Sequence, residues 1–192
     1  MTIYELKEKY PRIPDPVFTF LDRLDPYTYN HSLRVCEIGS YVERLHPNTE
    51  GYTLSEAGLV HDVGKYFLSQ HILGKYTALN SIEREAIDTH AYLSYKTLEF
   101  FGLPEDICLI ALYHHNLHPR VFGISIPACT DENIMNYAKI LRTIDIFEAV
   151  TSDRPYHRGY SNQTAVKDIL ESSDCDPETV HILRNAKELE RQ

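Results

Sequence analysis

Apolar positions recur along this chain at the three-and-four-residue spacing of helices, and the alternating pattern of exposed strands is nearly absent. Thr2 with Glu5 forms a capping box ahead of a short helix. Asp15-Pro16 and Asp25-Pro26 each set a cap residue before a proline suited to the first helical position. The second predicts a long helix carrying His31. Thr53 with Glu56 repeats the capping box, and Leu54, Ala57, Gly58 and Leu59 lead into His61 on another helix. A further helix is expected from about Ser81 to Phe101, with Gly102 as its terminal glycine. Pro104 opens EDICLIALYHHN, whose Ile107, Leu109, Ile110, Leu112 and Tyr113 face a core over most of its circumference. After an irregular stretch from Leu117 to Thr130, Asp131 caps a long helix through Ile134, Ala138, Leu141, Ile144, Asp145 and Val150. Two shorter helices are expected from Ser161 and from Pro177. The expected fold is all-α, one domain over residues 1–192, without internal repeat or low-complexity segment.

Composition narrows the class without naming it. The 192 residues are 43% apolar and 24% charged, enough to bury a core without disulfides. The N-terminus MTIYELKEKYPRIP lacks the apolar run of a signal peptide, and no apolar stretch is long enough to span a bilayer, so the expected location is the cytoplasm, away from membranes. Cys36, Cys108, Cys129 and Cys175 form no CxxC pair and indicate neither a disulfide framework nor a zinc knuckle. A net charge of −9 disfavours nucleic acid as a partner. It also leaves an anionic substrate in need of local cations, which metal ions can supply. Oligomeric state stays open, a homo-oligomer included.

The chemistry lies in a series of histidines and aspartates: His31, His61-Asp62, His90, His114-His115 and Asp145. Imidazole with carboxylate suits first-row divalent ions, and the series exceeds what one tetrahedral ion needs. It therefore suggests two metals, which in turn suggest phosphate ester chemistry. Asp145 stands between Ile144 and Ile146, where a buried carboxylate requires a metal or a salt partner such as Arg142. On a helix, His61 and Asp62 point roughly 100° apart, and so do His114 and His115, so each doublet could hand one ligand to each side of a pair of ions. Taken singly, His31 and His90 read as ordinary histidines, and His46, His71, His118, His157 and His181 as surface or core residues, with His118 close enough to the doublet to watch. The fourteen tyrosines read first as core and interface residues.

The order H…HD…H…HH…D on successive helices resembles the HD superfamily of metal-dependent phosphohydrolases, and within it the HD-GYP subgroup of cyclic di-GMP phosphodiesterases. The matching text is NHSLRV around His31, LVHDVGK around His61-Asp62, IDTHAYLS around His90, ALYHHN around His114-His115, and AKILRTIDIFEAVTSDRPYHRGYS around Asp145, a motif core of about 27–161. Two departures stand out: NLHPRVFGISIP replaces the loop containing Gly-Tyr-Pro, and Tyr27 stands where a trinuclear site would use Glu.

The resemblance implies an HD-domain helical bundle with a binuclear centre acting on a small-molecule nucleotide such as cyclic di-GMP. It implies that His31, His61, Asp62 and Asp145 hold one ion and Asp62, His90, His114 and His115 the other, with Asp62 bridging. It also implies roles for Lys65, one turn after His61, and for Arg154, His157 and Arg158 as phosphate or base contacts. For Lys65 the alternative is a solvated lysine at a helix end, and for Arg154 and Arg158 a surface position. Iron or manganese is the expected metal, with zinc, nickel or magnesium as further possibilities. A mononucleotide or dinucleoside polyphosphate hydrolase, and a non-catalytic nucleotide-sensing module, are the alternatives.

Overall fold

Asp25 accepts hydrogen bonds from the N–H groups of Tyr27 and Thr28, both 3.0 Å, and so starts the long helix that the Asp-Pro pair predicts. In the computed structural model, which describes residues 1–49, 53–75, 77–115, 120–121, 124–126, 128–153, 159–170 and 174–186, that helix is the third. The order is α1 (Ile3–Lys9), α2 (Asp15–Asp22), α3 (Pro26–Glu43), α4 (Thr53–Val60), a 3-10 turn over Val63–Phe67, α5 (Gln70–Leu73), α6 (Ser81–Asp88), α7 (His90–Phe100) and α8 (Glu105–Tyr113). A two-residue hairpin follows, β1 (Arg120–Val121) antiparallel to β2 (Ile124–Ser125), then α9 (Glu132–Thr151), α10 (Asn162–Ala165), a π-helical turn over Val166–Leu170, and α11 (Pro177–Asn185).

The all-α expectation holds, with that hairpin inside the stretch expected to be irregular as the only strand pairing among the described residues. No helix among them is long and apolar enough to cross a membrane. The Thr2–Glu5 capping box forms, and Asp131 caps α9 by accepting from Asn133 and Ile134 N–H. Asp15 is the first residue of α2 rather than its cap, a place taken by Pro14. At the start of α4, Glu43 accepts from the N–H groups of Leu54 and Ser55.

The helix expected over 81–101 is divided at Thr89, whose N–H turns to the Ala86 carbonyl three residues back (3.3 Å) and whose hydroxyl donates to the same oxygen (2.6 Å). His90 therefore opens a new helix. Gly102 ends the segment in the left-handed region at φ +76°, where glycine has no side chain to strain.

Helices α3 and α4 pack on each other and on α9, α4 packs also on α8, and α7 lies against α8 and against the 3-10 turn. Val35, Leu54, Leu59, Leu98, Ile107, Ile110, Ile140, Leu141, Ile144 and Phe147 fill the space between them, each at most 2% exposed. Inside this apolar mass lies one polar seam, formed by His31, His61, Asp62, His90, His114, Asp145 and Glu148, all buried. Burying so many polar groups is costly unless each meets a partner.

Candidate metal centre

His31 and Asp145 lie within α3 and α9, while the other five donors stand where a helix begins or ends. The N–H of His61 still donates to Ala57 O (2.8 Å) as the last bond of α4, while Asp62 already starts the 3-10 turn, accepting from Lys65 N–H at 2.9 Å. His90 is the first residue of α7, and His114 closes α8 with His115 beyond it. The sequence reading put every ligand within a helix, and here it is corrected for both doublets. At a helix end the backbone no longer holds neighbours 100° apart, so adjacent side chains can serve one centre.

The 3-10 turn is pressed onto the start of α7. Gly64 N–H donates to Ser94 Oγ at 2.8 Å, and a Cβ on Gly64 would lie 2.3 Å from His90 O and 2.4 Å from Ser94 N. Only a residue without a side chain permits this approach, which sets Asp62 Oδ1 3.3 Å from His90 Nε2.

Three imidazoles are held by one device. Nδ1 of His61, His90 and His114 donates to the carbonyl three residues back, Gly58 (2.8 Å), Ile87 (2.6 Å) and Ala111 (2.7 Å). A carbonyl can only accept, so Nδ1 carries the hydrogen and Nε2 keeps its lone pair. Those three Nε2 atoms and Asp62 Oδ1 are buried and make no hydrogen bond among the described residues. Four orphaned atoms, all of them acceptors, call for a cation in their midst. A divalent metal fits that donor set of nitrogen and oxygen without sulfur.

The donors fall into three groups whose atoms lie within 4.8 Å of one another: His31, His61 and Asp145; His90, His114 and His115; and His61, Asp62 and His114. The first two share no member, and the third takes one histidine from each and adds Asp62. Asp62 faces both ways. Its Oδ2 is 3.6 Å from His31 Nε2 and 3.4 Å from His61 Nε2, while Oδ1 faces His90. Asp145 Oδ1 is 3.0 Å from His31 Nε2 and its Oδ2 3.8 Å from Nδ1 of His115, whose side chain is 44% exposed. Lys65 Nζ sits 2.6 Å from Asp62 Oδ2 as a half-buried ion pair, a third situation beside the phosphate contact and the solvated helix end weighed from sequence.

Electrostatics follow from burial and from these pairs. Burial holds His61 and His114 below the usual imidazole range and His90 down to about 3, leaving all three neutral as ligands require. Burial alone would raise the Asp62 carboxyl, but Lys65 and the surrounding imidazoles outweigh it and hold the group well below the carboxylate range. Asp145 is likewise held far down against burial, chiefly by His31. For His31 itself burial works downward, yet the hydrogen bonds with Asp145 and Glu148 prevail and push it up to about 10.

The seven predicted ligands thus come together, and Lys65 joins them. Arg154, Arg158, His157 and His118 lie outside the described residues. His46 is buried and pairs with Asp176 at 3.1 Å, the core role of the two, surface or core, expected for it. Sequence reasoning missed Glu148, which contacts His31 Nδ1 and Arg34 Nε, and Ser152, whose hydroxyl donates to Glu148 at 2.5 Å. The available signal was position: Glu148 follows Asp145 by three residues and shares its helix face.

Residues 33–179, most of the chain, match the HD domain family. This chain belongs to the HD domain family. His31 lies just ahead of the matched segment and the other six donors lie within it. The HD domain here is 31% identical over 162 residues to a cyclic di-GMP phosphodiesterase of Pseudomonas aeruginosa, covering 80% of this chain and 38% of that protein. It is 28% identical over 174 residues to 3'3'-cGAMP-specific phosphodiesterase 3 of Vibrio cholerae, covering 88% of this chain and 37% of that one. The chain therefore spans under two fifths of the length of these relatives. In fold it resembles the HD domain of the Listeria monocytogenes phosphodiesterase PgpH, with TM-score 0.63 at 17% identity over 89% of this chain and 94% of that one. A second PgpH structure, solved with cyclic-di-AMP, gives TM-score 0.62 at 18% identity and the same coverage.

Proposed function

We propose that this chain is a metal-dependent phosphohydrolase of the HD-GYP type that cleaves a phosphodiester of a cyclic dinucleotide, with cyclic di-GMP as the leading substrate. The observation that carries the reading is Asp62, which turns opposite oxygens toward two donor groups that share no residue. In this reading His31, His61, Asp62 and Asp145 hold one ion, and Asp62, His90, His114 and His115 hold the second. Iron or manganese suits the donor set best. A pair of such ions supplies an activated water and screens the charge that grows on phosphoryl oxygens.

The chain's own residues prepare that chemistry. Neutral Nε2 atoms, kept neutral by burial, present lone pairs without first losing a proton. Lys65 keeps Asp62 ionised in an apolar surrounding and brings a fixed cation to the rim of the centre, where a phosphate oxygen can meet it. His115 is the exposed donor and marks the side from which a substrate enters. Arg154 and Arg158 are proposed as further phosphate or base contacts.

The choice of substrate rests on relatives named for cyclic di-GMP and 3'3'-cGAMP, which align with most of this chain. One observation favours a second reading, a nucleotide or dinucleoside polyphosphate hydrolase: NLHPRVFGISIP stands in place of the subgroup's Gly-Tyr-Pro loop. Purified protein with manganese or ferrous iron should linearise cyclic di-GMP or 3'3'-cGAMP and lose this activity in His61→Ala and Asp62→Ala. Cleavage of diadenosine tetraphosphate or mononucleotides with cyclic dinucleotides untouched would install the second reading. Full metal with no turnover of either class would favour a sensing module.

A further inference from the structure

Among the four buried imidazoles of the centre, His31 is set apart by what holds its Nδ1. His61, His90 and His114 lean on backbone carbonyls of their own segments, neutral dipoles three residues away. His31 leans on Glu148, a carboxylate from another helix, 117 residues along the chain. Glu148 and Asp145 sit on successive turns of one face of α9 and hold the same ring from its two nitrogens. Glu148 is 1% exposed, and its charge is met by the His31 ring, by Arg34 Nε from the next turn of α3, and by the Ser152 hydroxyl.

An anion behind an imidazole does more than orient it. It makes the opposite nitrogen a stronger donor to a metal, an effect a neutral carbonyl supplies only weakly. The two donor groups are therefore unequal. One contains Asp145 and a carboxylate-backed His31, while the other, apart from the shared Asp62, consists of His90, His114 and His115, with His115 open to solvent.

On the binuclear reading proposed above, we infer that Glu148 is a positioning residue that strengthens His31 as a ligand and makes the ion held by His31, His61 and Asp145 the tighter of the two. Arg34 and Ser152 keep Glu148 in place and satisfied, so that a buried anion stands ready behind the ring in the metal-free protein as well.

The test is metal binding and needs no substrate. Metal-depleted protein is titrated with manganese(II) against a fluorescent chelator, and the wild type should fill in two separated steps. Glu148→Gln keeps an acceptor for Nδ1–H and removes the charge, together with the second acceptor oxygen that faces Arg34 and Ser152. It should weaken the tight step by roughly 10- to 100-fold and leave the weak step in place. His115→Ala should do the reverse, which assigns the steps. General loosening of the fold would move both steps together. Should Glu148→Gln not fold, the neutral double variant Glu148→Gln with Arg34→Gln removes the pair's charges together and carries the same expectation. Two ions in the wild type with an unshifted tight step in the folded variant would overturn the role of Glu148 and leave the binuclear reading standing. One ion or none in the wild type would overturn the binuclear reading and this inference with it.

Discussion

Asp62 and His90 meet through Oδ1 and Nε2 at 3.3 Å, across the contact where the 3-10 turn leans on the start of α7. Gly64 maintains that contact, since any Cβ there would run into His90 O and Ser94 N. Both obstacles are backbone atoms and cannot swing aside. Gly64→Ala should thus push α7 away, lowering stability by about 1–3 kcal/mol and loosening the His90 side of the centre. Thermal melting and metal per chain by elemental analysis check this; an alanine variant with normal Tm and full metal would contradict it.

Lys65 is the cation nearest the bridging carboxylate, 2.6 Å from Asp62 Oδ2. Removing it leaves Asp62 buried without its partner, a change worth about 3 kcal/mol in the metal-free protein. Metal ions can replace that charge, so Lys65→Met should melt early in chelator and recover most of its Tm when manganese is added, while turnover stays low. A variant equally stable with and without metal relative to wild type would refute the pairing as a source of stability.

The metal-free protein should be most stable near pH 6.5. His90, held at about 3 when folded, takes a proton near pH 6.5 when unfolded; its stability is present above 6.5 and lost as pH falls toward 3. His61 and His114 act in the same direction. His31, at about 10 when folded, contributes stability that is full below 6.5 and is lost as pH rises toward 10. Denaturant midpoints measured in chelator between pH 5 and 9.5 should fall on both sides of the maximum. A level profile would rule out these ionisation states.

Loading the metal should release a proton. His31 is an imidazolium at neutral pH in the metal-free protein, and its Nε2 must lose hydrogen to become a ligand. About one proton per chain should appear in weakly buffered solution at pH 7.5, and the tight step should strengthen about tenfold per pH unit up to about 10. Metal uptake without proton release would show that His31 is already neutral.

Much of this architecture was legible because it is written locally. Asp25, Asp131 and the Thr2–Glu5 box announce helix starts through bonds that span two or three residues, and each forms as expected. The donor series was legible because seven groups of the right chemistry recur in one short chain. What stayed hidden depends on how helices dock. Nothing in the period of residues 81–101 marks Thr89 as a break, and nothing in the spacing of His61 and Asp62 says that α4 ends at Val60. Glu148 offered only its place one turn after Asp145, a weak signal for a similar reason: its partner, His31, lies on a different helix, and an acid near the end of a helix ordinarily belongs to solvent.

The bonds from Nδ1 of His61, His90 and His114 to carbonyls three residues back are closed within single segments. Each ring is therefore aimed by its own backbone before the helices assemble, and ordering these ligands adds little entropy loss when an ion arrives. Such a cradle is rigid toward its guest. Exchanging one divalent ion for another should leave the polypeptide where it is, so that differences in affinity among iron, manganese and zinc would reflect each ion's own coordination preference rather than any reshaping of the protein.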